Sequence, residues 1–467
     1  MTELSGKTFI GPQLRKLRRS RNETQAQVAK NLGISPAYVN LLESNQRSLS
    51  VKMLMRLSEV YNVDWRDLVK DDSAARVDDL RRAFKDPIFG IQPDLQELRA
   101  AVDHCPTIVQ SLMTLQTSYR RLSEEIMRDR AETRTSGIIQ SSPEGQVHDV
   151  FRENRNHFPK LEEAAENLGY ELSLRMDDAY VQLKGRLAYK SGITTKVLKI
   201  DEMNATLRAY DEESKTLALS EALDHQNKIF QLAHMICLVE YADLIDDLIS
   251  ARNLSATRAG ERLRVELANY FAAALLMPYA RFLKNAQDSQ YNLELLAARF
   301  DTSVEQVAHR LTTLQRDGAR GVPFFFLRVD KAGNVTKRFN ATSFQLAEYG
   351  GACPAWNLHT AFRAPGQIIP QKVALPDGEE FFTMSVTTER PYTGATSHES
   401  RLVIAIGCPI EYLDQIHYAR QAADKIQPIG INCHLCPRQQ CAHRAHQALH
   451  IDLPIDPLKR GSNRYES

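Results

Sequence analysis

Three cysteines crowd into nine residues near the carboxyl end of this 467-residue chain. Cys433, Cys436 and Cys441 stand in the run GINCHLCPRQQCAHRAH, with two and then four residues between them. Loops of that length let three thiolates converge on one soft metal centre. Three interpretations stay open. They are an iron–sulfur cluster with a fourth ligand from elsewhere or none from the protein, a Cys3His zinc site that uses His443 or His446, and three reduced thiols on a loop.

The amino-terminal 65 residues carry a second set of signals, those of a protein that reads DNA. Such a reader needs a short helix, a tight turn, and a second helix whose first side chains reach base edges in the major groove. Thr24 is predicted to cap the first of these helices and Gly33 to take the turn. Ser35 is predicted to cap the next helix, with Pro36 in its first turn.

The apolar pattern of the second helix decides which of its residues face outward. Val39 and Leu42 point inward, which leaves Ala37, Tyr38 and Asn40 on the outer face. Residues 1–70 contain 12 Lys and Arg but 6 Asp and Glu, a net +6 in a chain whose total is +1, so the remainder carries −5. A basic module on a slightly acidic body is typical of a DNA reader joined to a sensor. The alternative is a helical bundle whose basic face is incidental.

Cysteine usage and hydropathy bear on the compartment. The chain has seven Cys, an odd number, and MTELSGKTFI lacks a charged-then-apolar export signal. We therefore expect thiols or metal ligands rather than disulfides. No apolar run reaches the ~18 residues that a membrane-spanning helix needs. These observations predict a cytoplasmic protein that does not enter a membrane.

Length and pattern predict a multidomain chain. An all-α helix-turn-helix domain is expected over residues 1–70, and a helical connector over 71–148. The polar stretch 131–148, rich in Ser and Gly, is interpreted as a linker. An α+β domain is expected over 149–320. A strand-rich domain over 321–467 carries the Cys cluster.

Two further patterns lie in the helical parts. An apolar repeat in the connector has the 4, 3, 4, 3, 4 spacing of a heptad seam, so it either pairs two subunits or packs on its own domain. The run NLELLAARFDTSVEQVAHRLTTL has helix-turn-helix rhythm, but its balanced charge favours a structural helical pair over a second DNA reader. The residues of the apolar repeat are Ile108, Leu112, Leu115, Tyr119, Leu122 and Ile126.

The run TQAQVAKNLGISPAYVNLLESNQRSLS resembles the phage-repressor, or xenobiotic-response-element, family of helix-turn-helix proteins. The Thr-Gln pair, the Gly-Ile-Ser turn and the Glu-Ser-Asn-Gln-Arg ending fall at the family spacing. The resemblance implies that Gln25 and Arg47 contact backbone phosphates, while Ala37, Tyr38 and Asn40 lie over bases. The full set of predicted DNA-binding residues is Thr24, Gln25, Ser35, Ala37, Tyr38, Asn40 and Arg47.

The segments KIFQLAHMICLVEY and RVELANYFAAALLMP are similar to the zinc-peptidase domain of ImmA/IrrE-type regulators. Such a site needs His-Glu-x-x-His, in which two His bind zinc and the Glu is the general base. Here Met235 stands at the base position and Leu238 at the second ligand position, although His234 and Glu266 are present. Catalytic zinc needs three protein ligands, so we expect a degenerate, non-catalytic domain.

The segment from Gly350 to His446 resembles the C-terminal domain of short-chain fatty acyl transcriptional regulators, which control acetate, propionate or methylcitrate metabolism. The matching runs are GGACPAWNLHTAFRAPGQIIPQ, LPDGEEFF, AIGC and GINCHLCPRQQCAHRA. The resemblance implies that the ligand is a short-chain acyl-CoA or CoA, and that some members carry a [4Fe–4S] cluster on the three clustered cysteines. Cys353 and Cys408 match family positions too, and either could be the fourth ligand. The residues of the acyl-CoA pocket are not identified by the sequence.

These observations predict a regulator, not an enzyme. A homodimer or homotetramer would bind paired half-sites on double-stranded DNA, and an acyl-CoA-type ligand would favour one arrangement of the readers over another. Two other classes stay open. One is a redox-sensing regulator in which the iron–sulfur cluster is the main input. The other is a metallopeptidase, against which the missing Glu and His argue.

Overall fold

The computed structural model describes residues 10–21, 23–44, 46–61, 63, 73–85, 89–90, 92–131, 142–174, 178–344, 351–389, 401–448 and 458. For positions 12, 13, 16, 19, 20, 51, 73–75 and 121–131 it describes the backbone alone. The chain forms two compact units, Met1–Ser123 and Glu124–Ser467. The side chains of Leu122 and Ile126 in the predicted seam lie outside this description, and so do positions 132–141 of the predicted linker.

The first unit is helical in its described parts, and it holds two separate cores. Helices α1 to α4 enclose one core around Val28, Leu32 and Leu57. Helices α5 to α7 enclose a second core around Leu80 and Leu98. The helices of its described parts are α1 (Gly11–Ser20), α2 (Gln25–Leu32), α3 (Pro36–Glu43), α4 (Val51–Tyr61), α5 (Ser73–Phe84), α6 (Leu95–His104) and α7 (Pro106–Ala131), the last of which continues past the unit's end at Ser123.

The second unit begins with helices that surround a small mixed sheet. Its strand order is β1-β3-β2, with β1 parallel and β2 antiparallel to β3. The strands are β1 (Thr194–Leu198), β2 (Arg208–Asp211) and β3 (Thr216–Ser220). The helices are α8 (Pro143–Glu153), α9 (Pro159–Glu171), α10 (Ala179–Ser191), α11 (His225–Glu240), α12 (Ala242–Ser250), α13 (Arg258–Leu276), α14 (Tyr279–Asp288), α15 (Leu293–Phe300) and α16 (Val304–Leu311).

The predicted linker over 131–148 is too long at its carboxyl end. Helix α8 begins at Pro143, and the Ser142 side chain caps it by accepting a hydrogen bond from the Gly145 N–H at 3.0 Å. Val147 and Phe151 are buried in the main core of the second unit. The Ser-Ser-Pro-Glu-Gly composition that predicts a linker is therefore a helix start, with the cap residue and the proline in their favoured places.

The rest of the second unit is a six-stranded sheet in the order β5-β4-β8-β7-β6-β9. Neighbouring strands are antiparallel except β6 and β9, which are parallel. Its elements are β4 (Phe325–Val329), β5 (Val335–Asn340), α17 (Leu358–Ala361), β6 (Ile369–Ala374), β7 (Glu380–Glu389), β8 (Arg401–Pro409) and β9 (Gln427–Pro428). The predicted fold class is confirmed: helical DNA-reader region, helical connector, α+β middle and strand-rich C-terminal region.

The two faces of this sheet serve different cores because side chains alternate along a strand. On β8, Ile404, Ile406 and Cys408 face the main core, which the helices of the second unit complete. Val403 and Ala405 face a smaller aromatic core on the other side. The sheet and the peptidase-like helices therefore share one hydrophobic core.

Candidate DNA interface and candidate thiol centre

The turn between α2 and α3 has the geometry that the sequence predicts. The Thr24 N–H donates to Gln27 Oε1 at 2.7 Å, and the Gln27 N–H donates to Thr24 Oγ1 at 3.3 Å, which is a capping box. Gly33 ends α2 in the left-handed region at φ 64°. The Tyr38 N–H donates to Ser35 Oγ at 3.1 Å. The predicted caps and turn are thus confirmed, and α3 starts at a fixed angle to α2.

Most of the predicted DNA-binding residues lie on the surface of the first unit. Ala37 and Asn40 are exposed on α3, and Tyr38 is half-buried and packs against the core. Arg47 is exposed in the loop after α3. Thr24 and Ser35 are also exposed, at the starts of their helices. Their individual contacts to bases and phosphates stay predictions.

Gln25 has a structural partner that the sequence did not indicate. Its Nε2 donates to Glu43 Oε2 at 2.8 Å and lies 3.5 Å from Asn40 Oδ1. Glu43 is buried, and the Arg18 guanidinium donates to its two carboxylate oxygens at 2.6 and 3.1 Å. Burial alone would raise the pKa of Glu43, but the hydrogen bonds from Arg18 and Gln25 hold it below its usual value. This network fixes α1, α2 and α3 together under the exposed face of α3.

The clustered cysteines share a pocket with one thiol from elsewhere in the chain. Cys433, Cys436 and Cys441 line it together with Cys353. Cys408 lies elsewhere, because it is fully buried in the main core on the opposite face of the sheet. Of the two fourth ligands that the sequence left open, the structure therefore brings Cys353 to the pocket and places Cys408 away from it.

Two arginines hold the cysteine loop in place by hydrogen bonds to backbone carbonyls. The buried Arg444 guanidinium donates to the carbonyls of Cys433 at 3.0 Å and Cys436 at 3.2 Å. Arg438 donates to the carbonyl of Ala374 at the end of β6, at 2.9 Å. Both arginines line the pocket, so they place positive charge beside the thiols. Such charge would offset the negative charge of a thiolate-ligated group.

Close backbone approach and N–H donors complete the thiol pocket. A Cβ on Gly430 would lie 2.7 Å from Cys436 Sγ, so only glycine leaves that sulfur its place. Burial raises the pKa of Cys353, and backbone N–H groups of Gly430 and Ala355 act against that rise by hydrogen bonding to its sulfur. The Ala445 N–H lies 3.4 Å from the sulfur of Cys433. Backbone donors to sulfur are one of the means by which proteins tune iron–sulfur clusters.

Four thiols line this pocket, and thiolate sulfur is the donor that iron–sulfur clusters take. No group of three or more His, Cys, Asp or Glu side chains in the described ranges is already arranged around one metal-ion position. His443 lines the pocket but is otherwise exposed, while His446 stacks on His434 with ring centroids 4.5 Å apart. The Cys3His zinc interpretation would use His443.

The remnant of the peptidase site is filled by cationic side chains. Arg208 Nη1 lies 2.5 Å from Nδ1 of His234, and burial with the Arg208 charge lowers the pKa of His234 to about 3. The Lys337 ammonium lies 3.1 Å from Oε2 of Glu266. Burial alone would raise the pKa of Glu266, but Lys337 and His309 hold it at about 2. The carboxylate that would ligate zinc in a peptidase is thus neutralised by an ammonium from β5.

The second helix-turn-helix pattern lies within the core. Helices α15 and α16 repeat the layout of the reader: Asp301 ends α15 in the left-handed region and Ser303 caps α16 with a capping box. The equivalent of the recognition helix, α16, has no exposed residue. Arg310 on α16 is fully buried and donates to Glu162 Oε2 at 3.0 Å. This pair is structural, as its balanced charge predicted.

Comparison with known proteins identifies the family. Residues 14–68 match a helix-turn-helix model, 188–312 match the IrrE N-terminal-like domain, and 313–465 match the C-terminal region of the short-chain fatty acyl coenzyme A regulator. The propionyl-CoA carboxylase regulator of Cereibacter sphaeroides is 35% identical over 466 residues, which is 99% of each chain. The chain belongs to the short-chain fatty acyl coenzyme A regulators.

Two further relatives agree with this assignment. The HTH-type transcriptional regulators RamB and PrpR of Mycobacterium tuberculosis are each 33% identical, over 96% and 99% of this chain and 97% and 96% of their own. A solved structure, described as a Mycobacterium tuberculosis transcriptional regulator, matches with a TM-score of 0.65 and 33% identity over 70% of this chain and 100% of its own. The protein is therefore a transcriptional regulator, and the predicted family is confirmed. None of the described helices is long and apolar enough to cross a membrane.

Proposed function

We propose that this regulator reads its operator through the outer face of α3 and that a short-chain acyl-CoA or CoA, bound to the second unit, changes its affinity for DNA. One observation carries the proposal: a capped and exposed α3 on a basic module lies in the same chain as a region that matches acyl coenzyme A regulators. The names of the relatives point to propionyl-CoA metabolism as the setting. The protein would act in the cytoplasm, where its operator lies.

A gel-shift titration on the region upstream of its own gene tests the ligand. Affinity is measured alone and with acetyl-CoA, propionyl-CoA or free CoA. At least one of them should change the affinity about fivefold or more, the lower end of ordinary allosteric coupling. Equal affinity under all four conditions would remove the acyl-CoA part of the proposal and leave DNA binding untouched.

Two substitutions test the reader itself. Asn40→Ala should weaken binding to the operator by about tenfold or more and leave binding to unrelated DNA nearly unchanged, because base contacts carry the specificity. Arg47→Ala should weaken binding to the operator and to unrelated DNA. It should also lower the slope of log affinity against log salt concentration by about one, because a phosphate contact is lost. Glu59→Ala, an exposed change on α4, is the control. Unchanged operator affinity in Asn40→Ala and Arg47→Ala would refute this assignment of the interface.

We propose that the peptidase-like region is a scaffold with no catalytic role. Met235 and Leu238 replace the general base and the second ligand, and Lys337 neutralises Glu266. A digestion assay with zinc and an unfolded protein substrate tests this. We expect the wild-type chain to cleave the substrate no faster than the His234→Ala variant does. Zinc-dependent cleavage that His234→Ala abolishes would establish a peptidase.

We propose that Cys353, Cys433, Cys436 and Cys441 hold a [4Fe–4S] cluster. When bound, the cluster would supply a redox-active group beside β6, while the backbone N–H groups and Arg444 stabilise the negative charge of the thiolates. Elemental analysis after anaerobic purification should give about four irons and four sulfides per chain. Zinc without iron would favour the Cys3His alternative, and neither metal would leave four reduced thiols.

The same pocket supports a second candidate function, a redox-sensing regulator. Two of its four thiols, Cys433 and Cys441, are only partly buried, so an oxidant can reach the site. DNA affinity compared before and after exposure of the anaerobic protein to air tests this. A change that persists at saturating acyl-CoA would support an independent redox input. Identical affinities would confine the cluster to a structural role.

A further inference from the structure

Arg444 binds the backbone of the cysteine loop with most of its guanidinium group. Its Nη1 donates to the carbonyls of Cys433 at 3.0 Å and His446 at 3.3 Å. Its Nη2 donates to the carbonyl of Cys436 at 3.2 Å and also to that of Arg438. An arginine side chain has five N–H donors, four on its two Nη atoms and one on Nε. The four Nη donors are therefore committed to four carbonyls of the loop.

The fifth donor of Arg444, its Nε–H, has no acceptor among the described residues. The Nε atom is buried and without a hydrogen-bond partner, on a side chain that is 4% exposed. A buried N–H that stays unpaired costs free energy, so such groups have a partner in nearly every native protein. Arg438, the other arginine of the pocket, differs in this respect, because its Nε donates to the carbonyl of Ile429 at 3.3 Å.

The thiol pocket is the place where an acceptor for this donor can lie. Arg444 lines the pocket together with Cys436. Burial raises the pKa of the Cys436 thiol, whereas the backbone N–H of Arg438 and the charge of Arg444 act against that rise. A group held by the thiols would thus lie beside a cationic N–H donor. Anionic sulfur suits such a donor, because hydrogen bonds between charged partners are the strong ones.

We propose that the Nε–H of Arg444 donates a hydrogen bond to a sulfur atom of the cluster that the thiols hold, while its Nη groups fix the loop around that cluster. This inference rests on the proposed cluster, and it goes beyond an offset of charge. A lysine could supply the same charge. The planar fork that serves four carbonyls and one sulfur is specific to arginine, because an ammonium has three donors and no fixed plane.

A hydrogen bond to the cluster has an effect that a loop brace lacks. An N–H donor stabilises the added negative charge of the reduced form, so it raises the reduction potential of an iron–sulfur cluster. A residue that only braces the loop would change folding and iron uptake. It would leave unchanged the potential of the cluster that does form. The reduction potential therefore distinguishes a direct donor from a structural residue.

Reduction potentials of the full-length chain, purified anaerobically, test the proposal with a matched pair of variants. Arg444→Lys keeps the charge but removes Nε–H and the fork. Its potential should be more negative than that of the wild type, and it should release iron to a chelator about tenfold faster or more. Arg420→Lys makes the same exchange at an exposed arginine outside the pocket, so its potential and release rate should match those of the wild type.

A measurement on the wild type decides the matter even where Arg444→Lys takes up no iron. Arginine labelled with ¹⁵N at Nε alone is incorporated into the chain, and the reduced cluster is examined by electron spin-echo envelope modulation. Because Arg438 Nε is paired with a carbonyl, a hydrogen bond from Arg444 should give one weakly coupled ¹⁵N. That coupling should be absent when the arginine is unlabelled.

Three results would overturn the proposal and leave the cluster standing. They are a wild-type potential in Arg444→Lys, an equal shift of potential in Arg420→Lys, and no coupling to the labelled Nε. A wild-type chain without iron would remove the proposed cluster and this inference with it. The DNA affinity and its response to acyl-CoA are measured separately, so the reader would be unaffected by either failure.

Discussion

At the residue scale, each candidate site includes contacts or neighbours that lie far apart in the sequence. Glu43 joins Arg18 and Gln25 under the recognition helix, and Cys353 joins the three clustered cysteines. The sequence predicted each local set from its spacing. It did not predict that Glu43 pairs with Arg18 or that Cys353 reaches the thiol pocket, because a contact across many residues depends on packing and not on spacing. One local signal for Glu43 was available: it falls four residues after Val39, on the inward face of α3.

Glu43 makes the stability of the first unit depend on pH. Its pKa is lower in the folded chain than the usual 4.5, so its contribution is present above that pH and is lost as the pH falls below it. Glu43→Gln should remove this dependence and cost about 1–3 kcal/mol at neutral pH, since Arg18 and Gln25 lose a charged acceptor. Calorimetry of the full chain between pH 7 and pH 3.5 measures both effects. Glu59→Gln, an exposed change on α4, should follow the wild-type curve.

Cys353 and Cys408 offer a matched test of the thiol centre, because both are buried and both were open as the fourth ligand. Cys353→Ala should lower the iron content or the lifetime of the cluster in air, since the pocket loses one of its four thiols. Cys408→Ala removes a sulfur on the other face of the sheet and should leave both unchanged. Iron analysis and the decay of absorbance near ~400 nm after anaerobic purification measure the difference. An equal loss of iron in both variants would count against Cys353 as a ligand in this pocket.

At the scale of elements, the sequence predicted the helix caps and turns. It also contains two helix-turn-helix patterns, which differ in the exposure of their second helix. Both α2–α3 and α15–α16 have a left-handed turn residue and a Ser cap, and both patterns were visible in the sequence. Of the two second helices, α3 has exposed residues and α16 has none. The failure at α8, where a predicted linker is a capped helix, has a similar origin. Ser, Pro and Gly start helices as well as loops, and the buried Val147 that decides between them gives a weak local signal.

The turn before α3 gives a prediction for the reader as an element. Gly33 has φ 64°, where a side chain is strained by about 1–2 kcal/mol, so Gly33→Ala should destabilise the first unit by about that amount. Gly185 is the control, because it lies inside α10 and a Cβ there meets no atom within 4 Å. Gly185→Ala should stabilise the second unit by about 0.5–1 kcal/mol. Denaturant titrations should give changes in the free energy of unfolding of opposite sign for the two variants. Changes of the same sign would argue against the turn geometry at Gly33.

At the scale of the whole molecule, two regions that match different family models share one hydrophobic core. The regions 188–312 and 313–465 meet in one core of the second unit, where Phe326 and Ile406 of the sheet pack with the peptidase-like helices. Polar contacts cross the same boundary, since Arg328 Nη1 donates to Glu305 at 2.7 Å and Lys337 pairs with Glu266. The sequence indicated the strands and helices of both regions. It could not show that one face of the six-stranded sheet packs against the peptidase-like helices in a shared core.

The Lys337–Glu266 pair tests whether these two regions unfold as one. Lys337→Met leaves Glu266 buried without its ammonium, which should destabilise the second unit by about 2–4 kcal/mol. Because the core is shared, the whole calorimetric transition of the second unit should move together, without a separate transition for the sheet. The double variant Lys337→Met with Glu266→Gln should recover part of the loss, since no charge is then stranded. Lys331→Met, an exposed change in the β4–β5 turn, should leave the transition in place. A transition that splits in two would show that the peptidase-like helices and the sheet are held independently, and the shared core would then not couple them.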